Sequence, residues 1–412
     1  MELPFFIATY TFETQSFCLH PLGSKGILHY NQGMKKPLIM ATLALCGLSL
    51  ASCGPKTYAL EDYVQDLALF KDKDEIKVMQ LTDLHANFAT DFPKQKAFWG
   101  SLIQAAKPSL IMLTGDNVLN ASKHTVTSLL DTFNELCEEN DCYFGLIWGN
   151  HDKEGTYDPA YWLGESKKRS RSVYRELPGD NVYGRSNYVL NLTDGANTYW
   201  QVYALDSNSL ISKNPLKFTY DIIHEDQVKW FAEESDLAAK KDGEGHIISY
   251  VPSLVYFHIP LWELEYAYRL AGLNPDVSEA PGTLFGYSGE EREAPFDSTD
   301  LGKTQSWVGY KNSGFFEVAE QKGTRGIFWG HDHKSNFVAK YASAKNYRDA
   351  SNAIVMGYGL KSSCDLSYLA DMTGATVSTI KKDGSVSYSR YYQTYQDNYE
   401  TGTPIRVEEM GL

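Results

Sequence analysis

The sequence predicts an α/β fold, and three observations carry that prediction. Short apolar runs, β-branched or aromatic, recur along the chain and read as buried strands. Stretches with apolar residues at helical spacing lie between them. Most of the runs close on Gly and on polar residues able to do chemistry, as expected where a ligand sits beyond the C-terminal ends of strands.

The elements follow in chain order. The run 76–81 (IKVMQL) leads into Thr82-Asp83-Leu84-His85, and 110–113 (LIML) into Thr114-Gly115-Asp116-Asn117. The run 143–148 (YFGLIW) leads into Gly149-Asn150-His151-Asp152. Later, 254–257 (LVYF) ends at His258, and 326–329 (GIFW) at Gly330-His331-Asp332-His333. Helices are predicted over 93–107, with Pro93 in its first turn and an apolar face at Phe98, Leu102 and Ile103, and over 122–139, capped by Ser122. Two more are predicted over 225–241, carrying Val228, Trp230, Phe231 and Leu237, and over 312–321. The runs 188–192, 200–205 and 353–358 would complete a second sheet. The segment 270–304, rich in Gly, Pro, Ser and acids, reads as a long loop or insertion near the site.

With 412 residues, 43% of them hydrophobic and 22% charged, the chain can build a packed core in one large domain or two ordinary ones. A net charge of −14 argues against a general nucleic-acid binder and tolerates a site holding two divalent cations. Six cysteines form no CxxC or zinc-ribbon spacing; Cys137 and Cys142 are near enough to bridge, with a pair of free thiols the alternative.

The N-terminus reads as an address. Residues 34–53 (MKKPLIMATLALCGLSLASC) combine Lys35 and Lys36, an apolar run too short to span a bilayer comfortably, and a small-residue ending before Cys53. The Leu-Ala-Ser-Cys ending looks like a bacterial lipobox, which implies lipidation of Cys53 and a protein anchored in the bacterial cell envelope outside the cytoplasm. On that reading Met34 is the start and 1–33 an upstream extension of the gene model. Residues 54–72 are then a tether, and 73–412 the catalytic domain.

A two-metal hydrolase needs a shared anionic oxygen, several imidazoles and an open edge for water and phosphate. In extended backbone residues i and i+2 point the same way, so Asp83 would point with His85, and His331 with His333. Asp116 at a tight Gly turn suits a bridging carboxylate; Asn150 offers a neutral oxygen, and His151 would then face the substrate. The set Asp83-Leu84-His85, Gly115-Asp116, Gly149-Asn150-His151-Asp152, His258 and Gly330-His331-Asp332-His333 resembles, in order, the pattern of the calcineurin-like metallophosphoesterases. The resemblance implies a four-layer α/β/β/α sandwich of two mixed sheets with the metals at one edge. It implies one ion held by Asp83, His85 and His333, a second by Asn150, His258 and His331, and Asp116 between them. His151 would stabilise the phosphoryl group or protonate the leaving group, and Asp152 would orient His151.

Within that superfamily the phrases Ser186-Asn187-Tyr188, Gln227-Val228-Lys229-Trp230-Phe231, Phe257-His258-Ile259-Pro260 and Gly314-Phe315-Phe316-Glu317 are similar to the purple-acid-phosphatase-like branch. True purple enzymes carry a tyrosine ligand three residues after the bridging Asp; here that position is Leu119, so no purple charge-transfer band is expected. The ions are Fe, Mn or Zn, which the ligand types do not separate. Asn117 and Arg185 are the candidate substrate-binding residues, a surface ion pair being the alternative for Arg185. Trp262, Tyr287, Trp307 and Tyr310 either stack a substrate base or sugar or anchor loops, and His124, His224 and His246 read as surface residues. The expected activity is hydrolysis of a phosphorylated small molecule, as a phosphomonoesterase. The alternatives are a phosphodiesterase, nucleotidase or nucleotide pyrophosphatase, and a non-catalytic ligand-binding surface lipoprotein.

Overall fold

The buried apolar runs become the middle strands of two mixed sheets. The computed structural model describes residues 62–155, 158–177, 182–211, 220–268, 284–285, 311–333, 335–343, 353–363, 373–393 and 405–412. All of these fall in one unit, Tyr58–Leu412. The expected extension (1–33), the signal (34–53) with Cys53, residues 54–61 of the tether, and Tyr287, Trp307 and Tyr310 lie outside the described residues. Of the 270–304 segment only Leu284–Phe285 is described, as a short strand.

In chain order the strands are β1 Val64–Leu67, β2 Glu75–Leu81, β3 Leu110–Thr114, β4 Tyr143–Ile147, β5 Tyr188–Thr193, β6 Thr198–Ala204, β7 Lys240–Lys241 and β8 Ile247–Ser249. They continue as β9 Ser253–Tyr256, β10 Leu284–Phe285, β11 Thr324–Trp329, β12 Val338–Tyr341, β13 Ile354–Tyr358, β14 Gly374–Lys381, β15 Val386–Tyr392 and β16 Arg406–Glu409. One sheet runs β16-β15-β14-β2-β3-β4; the other runs β1-β5-β6-β9-β11-β13-β12-β10. In the first, β2, β3 and β4 are parallel; in the second, β6, β9, β11 and β13 are parallel. Their C-terminal ends therefore line up at one edge of each sheet. The expected second-sheet runs all lie in the eight-stranded sheet, which also takes the strands ending at His258 and Gly330.

The sheets are tied face to face by buried polar groups and rings. Trp200 Nε1 donates to Lys381 O at 2.7 Å, Tyr388 Oη to Arg325 O at 2.7 Å, and Tyr188 Oη to Leu146 O at 3.0 Å. Gln80, on β2, crosses to Trp329 O at 3.1 Å while also bonding Thr114 on β3. Each tip satisfies a polar group that burial would otherwise penalise.

Helices α1 Phe92–Ala106, α2 Lys123–Asn140 and α3 Pro159–Ser166 pack on the six-stranded side; α4 Glu225–Ala238, α5 Glu263–Tyr268 and α6 Phe315–Gln321 pack on the eight-stranded side. The expected layering of helix, sheet, sheet, helix is what the chain adopts. Asp91 caps α1 through Lys94 N (3.1 Å) and Ser122 caps α2 through Thr125 N (3.2 Å). Trp99 and Phe133 stack between these helices at 4.7 Å. Helices α3 and α5 were not foreseen, and Leu237, expected on the apolar face of α4, is 65% exposed. Among the described residues no helix is long and apolar enough to cross a membrane. Cys137 and Cys142 are buried free thiols.

The tether reading of 54–72 needs correction from residue 62 onward. β1 pairs in parallel with β5, Tyr63 is buried, and Phe70 is fully enclosed. Polar residues around Val64 and Leu67 hid a strand too short for its alternation to register.

Candidate metal centre

Five strand ends bring the candidate ligands together, but not through extended backbone. Asp83 (φ 53°), His85 (φ 49°), Asp116 (φ 47°) and His331 (φ 80°) all adopt the left-handed conformation that non-glycine residues rarely take. The expectation that Asp83 and His85 point together because the segment is extended is thus corrected; they converge because neighbouring loops hold each turn. Asp83 N donates to Gly115 O (3.1 Å), His85 N to Asp116 O (2.8 Å) and Ala86 N to Asn117 O (3.1 Å). His331 N donates to Asp83 Oδ1 at 3.0 Å, and His151 N to Asp116 Oδ1 at 2.8 Å. Loops packed this closely need glycine: a Cβ on Gly149 would collide with the Asp116 carboxylate, and one on Gly330 with the Thr82 hydroxyl.

Asp116 is the centre. Its Oδ2 lies 3.1 Å from His258 Nε2, 3.4 Å from His85 Nε2 and 3.9 Å from His151 Nε2. Two groups of donor atoms share it: Asp83, His85, Asp116 and His333 in one, Asp116, His258 and His331 in the other, each with its atoms within 4.8 Å of one another. The Asn150 amide oxygen is buried with no hydrogen-bond partner among the described residues, as befits a ligand. His258 points Nδ1 at Thr114 O (3.0 Å), which leaves Nε2 toward Asp116. Asp83, His85, Asp116 and His258 are buried, while His151, His331 and His333 are partly exposed and form the open side.

Burial works to raise the Asp116 pKa, but His258 and His85 beside it hold the carboxyl well below the usual range. Burial likewise opposes protonation of His258, yet Asp116 prevails and pushes it up to about 9. A cluster of carboxylates and imidazoles this closely paired is a donor set that two cations would fit.

Matching by family agrees with this geometry. Residues 76–335 match the family described as calcineurin-like phosphoesterase, a span that takes in every candidate ligand. The chain belongs to the calcineurin-like phosphoesterase family. That places it among the metal-dependent phosphoric ester hydrolases. "Probable inactive purple acid phosphatase 29" of Arabidopsis thaliana is 28% identical over 299 residues, 65% of this chain and 69% of that protein. "Probable inactive purple acid phosphatase 14" of the same plant is 24% identical over 347 residues, 77% of this chain and 79% of that protein. "Phosphatase DCR2" of Saccharomyces cerevisiae is 26% identical over 215 residues, 47% of this chain and 36% of that protein.

Around the ligands, this phosphoesterase departs from the sequence reading in two roles. Asp152 does not reach His151. It accepts from Gly149 N (2.7 Å), Val118 N (2.9 Å) and Asn117 Nδ2 (3.0 Å), and so holds the Gly-Asn-His loop against the Gly-Asp loop. Burial and the Asp116 charge push its pKa up to about 7 despite those donors. The partner of His151 is Glu154, whose Oε1 is 2.9 Å from Nδ1; a 3₁₀ turn over His151–Lys153 places it three residues on. Asn117, expected to bind substrate, is fully buried and spends its Nδ2 on Ile147 O (2.7 Å) and Asp152. Arg185 is exposed; its backbone N–H donates to Asp206 Oδ2 (2.8 Å), a carboxylate that also takes Lys153 (3.1 Å).

Three further residues were missed. Ser207 Oγ, beyond β6, accepts from His258 N (3.2 Å) and Ile259 N (2.8 Å), fixing the turn that aims His258. Tyr220 packs edge-on against His331 at 4.3 Å. Lys361, beyond β13, lies 3.5 Å from Asp83 Oδ2. For Ser207 and Lys361 a signal existed: each stands just past a strand end that the sequence marked.

Proposed function

We propose that this phosphoesterase hydrolyses small phosphate monoesters at a two-ion centre, outside the cytoplasm and anchored through Cys53. The observation that carries the hydrolytic part is the pair of ligand groups sharing Asp116. Two ions held there would supply Lewis acidity at the phosphoryl oxygens and a nucleophilic water at neutral pH. Asp83, His85 and His333 would hold one, and His258, His331 and Asn150 the other. His151 stands at the open side with Nδ1 on the Glu154 carboxylate, which orients Nε2 toward where a leaving oxygen would depart. The monoester preference is supported by relatives whose names include phosphatase. The envelope location rests on the sequence of residues 34–53.

Three relatives carry the word inactive in their names, which keeps a non-hydrolytic ligand-binding lipoprotein in view. The complete ligand set favours hydrolysis. Metal analysis of the purified chain, with hydrolysis of p-nitrophenyl phosphate and of bis-p-nitrophenyl phosphate, separates the readings. Two ions per chain, faster monoester turnover, and loss of both metal and activity in Asp116→Ala are expected. Faster diester turnover would move the reading to a phosphodiesterase, and no metal with no hydrolysis to a binding protein. Fractionation of cells making the wild type or Cys53→Ser tests the anchor: only the wild type should sediment with membranes.

A further inference from the structure

We propose that Lys361 is a fixed counter-cation of the metal centre, a positioning residue that decides which oxygen of Asp83 faces the first ion and holds that ion's affinity down; this rests on the two-ion reading above. Lys361 is 2% exposed, in a position where an apolar side chain would avoid the desolvation of an ammonium. Its Nζ donates no hydrogen bond among the described residues; it lies 3.5 Å from Asp83 Oδ2 and 5.3 Å from the centroid of the Tyr358 ring. The backbone keeps it there. Lys361 bridges Thr82, Ser362 N donates to Thr82 O (3.0 Å), and Thr82 N donates to Ser362 Oγ (3.1 Å), all beside Asp83 itself.

The two oxygens of Asp83 are thereby made unequal. His331 N reaches both oxygens (3.0 and 3.2 Å), but Oδ2 also accepts from Thr82 Oγ1 at 2.9 Å and faces Lys361, whereas Oδ1 lies 3.6 Å from His333 Nε2, on the side of the ligand cluster. Without metal, Lys361 neutralises a buried carboxylate. With an ion on Oδ1, two cations flank one carboxylate and repel. The lysine therefore stabilises the empty site and weakens the filled one, and the penalty grows with the charge of the ion. A divalent, exchangeable ion is the kind this arrangement favours over a trivalent one.

The test compares the full chain, stripped of metal, as wild type, Lys361→Met, Lys361→Gln and Lys361→Arg. Melting is followed by calorimetry with and without Mn²⁺, and Mn²⁺ binding by titration. Both neutral variants should melt lower without metal, gain more from Mn²⁺ than the wild type, and bind the first ion about tenfold or more tighter. Lys361→Arg should return toward wild-type values. Equal losses of melting temperature with and without Mn²⁺, or weaker Mn²⁺ binding, in whichever neutral variant folds would overturn the proposal. A wild type that binds no Mn²⁺, Fe²⁺ or Zn²⁺ would instead overturn the two-ion reading beneath it.

Discussion

At the scale of single residues, the site separates groups that hold loops from groups that face the open side. Glu154, not Asp152, holds the His151 ring, through Nδ1. Glu154→Gln should lower kcat by roughly 10–100-fold with little change in melting temperature, because only the orientation and charge behind His151 change. Asp152→Asn should instead lower the melting temperature, since one of its oxygens would turn an amide toward the N–H donors of Gly149, Val118 and Asn117. If Asp152→Asn alone slowed turnover while leaving stability intact, the assignment would be reversed.

His258 makes the pH dependence explicit. In the metal-free protein its pKa is raised from 6.5 to about 9, so the stability from its pairing with Asp116 is fully present below about pH 6.5 and is lost as pH rises through about 9. An ion needs the neutral Nε2. Metal binding should therefore release a proton, and affinity should weaken by up to about tenfold per unit as pH falls below about 9. Titrations in buffers of different ionisation enthalpy measure that proton; a binding heat independent of buffer would contradict it.

At the scale of elements, the parallel strands do the positioning. β2, β3 and β4 from one sheet and β9 and β11 from the other end at the same edge, and Gln80, bonded to Thr114 in its own sheet and to Trp329 O in the other, keeps those ends in register. β1 is the element that sequence reading mistook for tether. Phe70, enclosed beside it and ring-packed on Tyr199 at 5.5 Å, should cost about 3–5 kcal/mol when changed to Ala. Denaturant melts of Phe70→Ala decide this, and a wild-type midpoint would restore the tether reading.

At the scale of the whole molecule, the sandwich concentrates buried charge at one edge. Asp83, Asp116, His85 and His258 are all enclosed there, so the folded chain and its cations should be strongly linked. Chelation should lower the melting temperature in wild type, and excess Mn²⁺ or Zn²⁺ should restore it. In Asp116→Ala both effects should be small. Unchanged melting of the wild type under chelation would separate folding from the metal centre.

The cluster of candidate ligands was legible in the sequence because each member stands just after an apolar strand, and strand ends in an α/β sheet converge by construction. The alternation of strand and helix, the cap at Ser122, the start of α1 at Pro93 and the helices α1, α2, α4 and α6 followed from local pattern alone. What only the tertiary structure decided are pairings between residues distant in sequence. Lys361 meets Asp83 because β13 joins the sheet beside β11, Ser207 meets His258 because β6 pairs with β9, and the β14–β15 hairpin completes the sheet of β2. The left-handed turns at Asp83, His85 and His331 are of the same kind: intrinsically unfavourable, they persist because neighbouring loops hydrogen-bond them, and no local propensity announces them.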